Sequence, residues 1–206
     1  MTKLYYWPGT CAMACWIALD WAEADFEPVK ADLSSEDYRR VNPLGMVPAL
    51  DIGGNRAMTQ ADAILGHIAE QYPAARLGPV DDTQGRFEFA ETMAFLTGDF
   101  HPAFWPYFGP QRFTADPSSD ATDQVRAASY ARIDRVMTHL DGLVSADCHV
   151  YRNHRTVADC YAYVMARWTD KLPKPWRDYD NIPRLFEMME RDPIAQGALR
   201  KSGTIK

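Results

Sequence analysis

The sequence predicts two domains of different class: a small α/β domain with the element order βαβ-ββα, followed by an all-α domain. Three observations lead to this prediction. Apolar runs typical of strands occur only before about residue 60, where Gly and Pro turns separate them from segments with helical spacing. After residue 84, apolar residues recur at helical spacing alone. The 206 residues are enough for two small domains.

The first half of the α/β domain is predicted to be a strand–helix–strand unit. Residues 3–7 form an apolar strand that ends at Pro8-Gly9-Thr10, and helical spacing then runs from Cys11 to about residue 24. A second strand is expected at residues 26–33. Because a helix joins the two strands, they should be parallel, with a right-handed crossover.

The second half is predicted to be a hairpin followed by a helix. A polar connector at residues 34–41 leads to a strand at 48–52, and Gly53-Gly54-Asn55 favours a tight turn into a return strand at 56–58. The two hairpin strands must be antiparallel. A helix is expected from about residue 60 to residue 72, where a proline follows.

The all-α domain is predicted from five apolar segments. They lie at residues 89–100, 125–140, 157–168, 185–189 and 194–199. Thr156-Val157-Ala158-Asp159 fits a capping box at the start of the third segment. We therefore expect the α/β domain at 1–76, a linker at about 77–84 and the all-α domain at 85–206.

Composition restricts the function. The net charge is −6 and there is no basic cluster, which argues against nucleic acid and anionic membrane surfaces as partners. No apolar run reaches transmembrane length, and the first residues enter a strand without a signal-peptide pattern. The four cysteines lack the paired spacing of a metal site. We therefore expect a cytoplasmic protein with reduced thiols and no metal.

Cys11 is the first candidate functional residue. It lies where the first strand meets the first helix, and the free N–H groups and dipole of a helix N-terminus favour an anion there. Such a position can lower the pKa of a thiol and give it thiolate character. A small buried hydrophobic residue is the alternative. Cys15, one turn later, forms no redox C-x-x-C pair with Cys11 and is assigned to the core.

The Val47–Pro48 bond is the second candidate feature. A proline at the start of a strand cannot donate to the sheet, and a cis bond here leaves the N–H and C=O of Val47 unpaired at an edge. An extended peptide can pair with such groups. An ordinary trans proline in a loop is the alternative.

Thr59-Gln60-Ala61-Asp62 opens the helix that follows the hairpin. Its free N–H groups suit a carboxylate, and Gln60 adds a donor and an acceptor. Simple N-capping by Thr59 is the alternative. In a βαβ-ββα sheet, this helix start, Cys11 and Val47-Pro48 lie at one edge. Together they suit an extended, acidic peptide that carries a thiol, and glutathione has this shape.

With these motifs the chain resembles a cytosolic glutathione transferase, which has a thioredoxin-like first domain and a helical second domain. The resemblance is carried by Pro8-Gly9-Thr10-Cys11 and by residues 42–50, 59–64, 156–159 and 188–199. A cysteine in the first motif is typical of the bacterial beta class, where other classes have tyrosine or serine. The resemblance covers nearly the whole chain.

The resemblance implies a set of catalytic and glutathione-binding residues. They are Cys11, Val47, Pro48, Gln60, Ala61 and His101. Cys11 and His101 match the cysteine and histidine near the glutathione sulfur, Val47 pairs with the cysteinyl part, and Gln60 contacts the γ-glutamyl end. The resemblance also implies a homodimer and glutathione as co-substrate. A solvent-exposed histidine at a helix end is the alternative for His101.

Three departures from the family pattern affect this site. Ala61 stands where a Ser or Thr hydroxyl usually binds the γ-glutamyl carboxylate, and the lost hydrogen bond costs ~1.5–3 kcal/mol. Ala94 stands where the beta class tends to have Asn. The short connector at 34–41 lacks the lysine that binds the glycine carboxylate, and Arg39 and Arg40 are the candidate replacements.

Aromatic residues around positions 100–108 are candidates for the second substrate site. In this family the second substrate lies between the two domains, against the fourth helix. Phe104, Trp105 and Phe108 are therefore predicted to line a pocket for a hydrophobic electrophile, together with Trp7 beside the Pro-Gly turn. A domain-interface core is the alternative.

The sequence thus predicts a glutathione transferase that conjugates glutathione to a small hydrophobic electrophile, in detoxification or in catabolism. Two alternatives remain open. One is thiol–disulfide exchange through a mixed disulfide of Cys11 with glutathione. The other is a non-catalytic binding module in which the glutathione site has decayed.

Overall fold

The α/β half is built on one four-stranded mixed sheet. A computed structural model describes all residues from Met1 to Lys206. The strands are β1 (Thr2–Tyr6), β2 (Phe26–Lys30), β3 (Ala49–Asp51) and β4 (Met58–Thr59), in the order β2-β1-β3-β4. β1 and β2 are parallel, and β3 is antiparallel to both β1 and β4. This topology confirms the predicted thioredoxin-like arrangement.

Three helices complete this half: α1 (Ala12–Trp21), α2 (Glu36–Val41) and α3 (Ala61–Gln71). The first strand has the predicted length but begins one residue earlier, and the other three are shorter than predicted. β2 ends at Lys30 because Asp32 soon starts a turn, in which its carboxylate accepts hydrogen bonds from the N–H and O–H of Ser34 at 3.1 and 2.7 Å. The predicted connector contains α2, whose N-cap Ser35 accepts a hydrogen bond from the Tyr38 amide. Pro48 immediately precedes β3 instead of opening it.

The second half is entirely helical, as predicted. Its helices are α4 (Thr83–Phe95), α5 (His101–Ala103), α6 (Trp105–Phe108), α7 (Ser119–Leu143), α8 (Val157–Ala166), α9 (Ile182–Arg191) and α10 (Pro193–Lys201). The predicted helix at 89–100 is not regular, because a π-helical turn occupies Leu96–Phe100. Such turns are frequent at functional sites. Prolines open the two short helices that follow.

Helix α1 lies at the centre of the molecule and connects the two halves. It packs against α3 on one side and against α8 and α10 on the other. All of its residues except Asp20 are buried. A helix that is apolar on all sides is typical of such a position. One hydrophobic core therefore extends through both halves and holds the turn that precedes α1.

Helix α8 begins with the predicted capping box. Thr156 and Asp159 satisfy each other's backbone N–H groups, and both side chains are fully buried. The Asp159 carboxylate also accepts hydrogen bonds from the Val150 amide at 2.7 Å and contacts Nδ1 of His149 at 3.1 Å. The box therefore anchors the preceding loop as well as the helix.

None of the ten helices has both the length and the hydropathy that a membrane-spanning segment requires. No group of three or more His, Cys, Asp or Glu side chains is arranged to bind a metal ion.

Candidate active site

A cavity of about 210 Å³ lies between the α/β half and the helical half. The predicted residues that line it are Cys11, Val47, Pro48, Gln60, Ala61, His101 and Trp105. They come from the turn before α1, the loop before β3, the start of α3 and the segment that follows α4. The three motifs of the α/β half therefore meet in one place, beside two of the predicted residues from the helical half.

The Cys11 thiol is protonated at neutral pH. Its Sγ donates a hydrogen bond to the Val47 carbonyl at 3.6 Å, and only 6% of the residue is exposed. Burial raises the pKa of Cys11 to about 12, and this outweighs the opposing effect of the backbone amides of Cys11 and Ala12. The predicted thiolate character is therefore wrong. Cys11 acts as a hydrogen-bond donor.

The turn that carries Cys11 is held from the far end of the chain. Gly9 has a φ of 73°, which favours glycine. Its N–H donates to Oγ1 of Thr204 at 3.0 Å, and its C=O accepts a hydrogen bond from Nε1 of Trp168 at 2.8 Å. Both the N–H and the C=O of Gly9 are thus fixed by residues of the helical half.

The loop before β3 has one unpaired backbone group beside the cavity. The Val47–Pro48 bond is cis, and the Val47 N–H has no acceptor within the protein. The Val47 carbonyl accepts the Cys11 S–H, so the prediction that it is unpaired is wrong. The loop is fixed on its other side, where the Met46 carbonyl accepts hydrogen bonds from Nδ2 of Asn42 at 2.6 Å and from the Tyr38 hydroxyl at 2.7 Å. A bound extended peptide can therefore pair with Val47 without a rearrangement of the loop.

Helix α3 begins with free amides. Its N-cap is Gln60, with a φ of 74° and no side-chain capping bond, so Thr59 does not cap the helix as the alternative required. Because α3 starts at Ala61, the N–H groups of Ala61, Asp62 and Ala63 have no carbonyl one turn earlier. Free amides at a helix N-terminus are suited to an anion, and Gln60 and Ala61 place this helix start beside the cavity.

His101 is half-buried and neutral, so it is not a solvent-exposed histidine. Its Nδ1 lies 3.3 Å from the Tyr161 hydroxyl, and its ring packs against Trp105 and Trp168. Burial lowers the pKa of His101 to about 4. When the Tyr161 hydroxyl donates to Nδ1, the imidazole carries its proton on Nε2. His101 is then a second neutral donor at the site.

The buried imidazole makes stability depend on pH. Its pKa rises from about 4 in the folded protein to about 6.5 in the unfolded chain, so between these values only the unfolded chain binds the proton. The contribution of the neutral imidazole to the stability of the folded protein is therefore complete above about pH 6.5, and it is lost as the pH falls towards about 4. We expect the free energy of unfolding to fall by roughly 2–3 kcal/mol more in the wild type than in His101→Gln between about pH 7.5 and about pH 4.5. Urea unfolding measures this difference, and equal losses in both proteins would contradict it.

Three predicted pocket residues lie outside the cavity. Phe104 is fully buried, and its ring packs at 6.1 Å from Phe108 and at 5.3 Å from Trp168, so it belongs to the core of the helical half and the prediction is wrong. Phe108 is exposed and lines a second cavity instead. Trp7 is partly exposed, and Lys30 covers its ring at 4.7 Å. Phe108 and Trp7 therefore lie outside the Cys11 cavity.

The sequence prediction missed other residues that line the cavity, among them Asn42, Thr97 and Tyr161. Tyr161 belongs to the apolar segment predicted at residues 157–168. Its hydroxyl, which needs a hydrogen-bond partner when buried, was the signal that could have separated it from the apolar residues of that segment. Thr97 lies four residues before His101, close to it on a helix. Ala94 is exposed and lines a different cavity, so its departure from the family pattern does not affect this site.

Known proteins are similar to this chain in both sequence and fold. Residues 4–76 match the family model of the glutathione S-transferase N-terminal domain. The chain is 34% identical to a glutathione S-transferase of Xanthomonas campestris over 98% of both chains. Its structure matches the beta-class glutathione S-transferase of Sphingomonas chungbukensis with a TM-score of 0.85 and 32% identity, over 98% of this chain and 100% of that one. A sphingomonad glutathione S-transferase complexed with glutathione gives the same TM-score and coverage at 33% identity.

The similarity therefore extends from the α/β half through the helical half, and it includes the fold that brings Cys11, Val47 and the start of α3 together. Identity of this size over almost the full length of both chains goes beyond a shared architecture. The chain belongs to the cytosolic glutathione S-transferase superfamily, as a transferase similar to the bacterial beta class.

Proposed function

We propose that the protein binds glutathione in the Cys11 cavity and conjugates it to a small hydrophobic electrophile. The observation that carries this proposal is the meeting of three features in one cavity. They are the Cys11 thiol, the unpaired N–H of Val47 and the free amides at the start of α3. They match the sulfur, the peptide group and the γ-glutamyl carboxylate of glutathione. The sphingomonad relative complexed with glutathione supports the same ligand.

Glutathione binding changes the partner of the Cys11 thiol. The cysteinyl part of glutathione pairs with Val47 as an added strand, so its N–H donates to the Val47 carbonyl in place of the Cys11 S–H. In the free protein this carbonyl accepts the Cys11 S–H. The displaced S–H then donates to the glutathione sulfur. The γ-glutamyl carboxylate accepts from the amides of Ala61 and Asp62, with the Gln60 side chain beside it.

Arg39 is the better candidate for the glycine carboxylate of glutathione. Arg40 is exposed and forms an ion pair with Asp37 at 2.9 Å. Arg39 has no ion pair, and its side chain lies against Gly45, in the loop that leads to Val47. An unpaired guanidinium beside this loop supports a role in carboxylate binding.

Catalysis follows from positioning and from stabilisation of the thiolate. The Cys11 S–H and the Nε2–H of His101 are neutral donors that favour an anionic sulfur over a thiol. The thiolate forms a C–S bond with the electrophilic carbon, and the leaving group departs with its electron pair. The thiol proton goes to solvent, because His101, with a pKa of about 4, does not retain it.

Thiol–disulfide exchange has less support. The attacking species in exchange is a thiolate, whereas Cys11 has a pKa of about 12 and is 6% exposed. We expect mass spectrometry to find no glutathione adduct on Cys11 after treatment with oxidised glutathione at neutral pH. A stoichiometric adduct would favour the exchange reaction.

The Ala61→Ser variant tests whether the γ-glutamyl carboxylate lies at the start of α3. The added hydroxyl supplies a hydrogen bond to a charged group, worth ~1.5–3 kcal/mol. We expect glutathione to bind about 10- to 100-fold more tightly in calorimetric titrations. Ala94→Ser, in a different cavity, is the matched control and should leave the affinity unchanged. Equal affinities of Ala61→Ser and the wild type would place the carboxylate elsewhere and would favour the non-catalytic module.

Two assays test the proposed function. We expect saturable glutathione binding at up to millimolar concentration, and conjugation of 1-chloro-2,4-dinitrobenzene with release of chloride. Absence of saturable binding would refute the proposal. Binding without conjugation of any hydrophobic electrophile would favour the binding module.

Further proposals follow from family membership. We propose that the protein is a cytoplasmic homodimer, with domain boundaries at 1–76 and 85–206 and a linker at 77–84. Its physiological role lies in detoxification or catabolism. Light scattering of the purified protein tests the dimer, and a monomer at micromolar concentration would refute it.

A further inference from the structure

A second, larger cavity adjoins the first. Its volume is about 410 Å³, compared with about 210 Å³ for the Cys11 cavity. Its walls come from the Gly9 turn, from α6, from the end of α8 with the turn that follows it, and from the C-terminal segment. The proposed function, as argued so far, leaves this cavity without a ligand.

The two cavities have no lining residue in common, but two segments contribute residues to both. Gly9 lines the second cavity and Cys11, two residues later, lines the first. Helix α6 spans both, since Trp105 faces the first cavity and Phe108 the second. The ring of His101, which lines the first cavity, also lies 5.0 Å from the ring of Trp168, which lines the second, so the two cavities are neighbours.

Three aromatic rings, together with Val164 and Leu199, form the apolar part of the second cavity. The ring of Trp168 lies 5.3 Å from the ring of Phe108 and 5.0 Å from that of His101. Tyr107 extends the wall beyond Phe108. Rings in tilted and edge-on contact favour a further flat, conjugated ring among them.

The charged part of the cavity is positive. Arg167 and Lys171 both line it, and neither forms an ion pair. The Arg167 guanidinium contacts only the hydroxyl and ring of Tyr163. Asp170, the acidic residue of the lining, accepts hydrogen bonds on Oδ1 from Nε1 of Trp176 at 2.6 Å and from Arg177 at 2.8 Å, and neither of these residues lines the cavity. The lining thus holds two cations without an ion-pair partner and one carboxylate that is paired with a residue outside the cavity.

We propose that the electrophile is an aromatic compound that carries a carboxylate. Its ring packs against Trp168 and Phe108, its carboxylate binds Arg167 and Lys171, and its reactive carbon points to the glutathione sulfur. Guanidinium and ammonium groups that lack an acidic partner bind a carboxylate strongly beside apolar walls. This inference rests on the proposed function and adds the chemical class of the second substrate.

A matched pair of electrophiles tests the proposal. 4-Chloro-3,5-dinitrobenzoate carries the carboxylate, and 1-chloro-2,4-dinitrobenzene does not. In both, the glutathione sulfur replaces chloride, which leaves with the bonding electrons. We expect the Arg167→Gln/Lys171→Gln variant to lose about 10- to 100-fold in kcat/KM for the benzoate and to stay within about twofold for the neutral compound.

A charge-matched control removes two exposed cations elsewhere, in Arg126→Gln/Arg191→Gln. It should leave both substrates nearly unaffected, which separates local binding from the change in net charge. Binding of unreactive 3,5-dinitrobenzoate, followed by calorimetry, should weaken only in the Arg167→Gln/Lys171→Gln variant.

Equal effects of that variant on both electrophiles, or no loss for the benzoate, would overturn the inference. The proposed function would then still stand if the neutral compound is conjugated. Failure of the wild type to conjugate either compound would overturn the proposed function and this inference with it.

Discussion

Asp159→Ala is expected to destabilise the protein by about 3–5 kcal/mol, more than any other single change considered for this chain. The carboxylate is fully buried and accepts hydrogen bonds from the backbone amides of Thr156 and Val150 at 2.8 and 2.7 Å. Alanine leaves both amides buried without an acceptor. It also removes the contact with His149 at 3.1 Å.

The effect of Asp159→Ala extends beyond α8. This helix packs directly against α1, so an unravelled first turn disturbs the support of the Cys11 turn. We therefore expect a lower midpoint of urea unfolding and a fall in soluble yield.

Ser118→Ala is the matched control for a cap. Ser118 caps α7 with a single hydrogen bond to the Ala121 amide at the surface, so its loss should cost only about 1 kcal/mol. Similar destabilisation by the two substitutions would show that the buried network around Asp159 adds nothing to an ordinary cap.

The second large effect concerns the proposed thiolate donors. Removal of both, in Cys11→Ala/His101→Leu, is expected to reduce kcat/KM by about 10²–10⁴ at neutral pH. Each donor contributes a hydrogen bond to a charged sulfur, worth ~1.5–3 kcal/mol, and the two come from different halves of the molecule. Each single variant should lose about 10- to 100-fold.

The pH–rate profile separates this mechanism from a loss of structure. Without the donors, the pKa of the bound glutathione thiol rises, so activity should recover as the pH is raised. A variant that has merely lost the geometry of the cavity would stay impaired at every pH. Cys148→Ser removes a cysteine far from the cavity and should leave the profile unchanged. A pH-independent loss in the double variant would exclude thiolate stabilisation by these two groups.

Much of the fold followed from local patterns in the sequence. The helix between the first two strands required a parallel pair, and the Gly-Gly-Asn turn required a hairpin, so the sheet topology was predictable. The same reasoning brought Cys11, Val47 and Gln60 to one edge, where they line a single cavity. The short strands and the π-helical turn at Leu96–Phe100 were not predictable, because tertiary packing determines them.

The electrostatics of the candidate site were not predictable from residue order. A helix N-terminus argued for a low pKa of Cys11, but the folded chain buries the thiol, and burial has the larger effect. Likewise, aromatic spacing did not separate Phe104, which is in the core, from Trp105, which faces the cavity. Which side of a short helix meets solvent depends on how the two halves dock.

The two hydrogen bonds that hold Gly9 have a consequence for the synthesis of the protein. The hydrogen-bond partner Thr204 lies 195 residues further along the chain than Gly9, and Trp168 lies 159 residues further. On the ribosome, the turn with Cys11 is therefore synthesised long before either partner. A nascent chain with a finished sheet thus carries an unfinished catalytic turn until both Trp168 and Thr204 have been added.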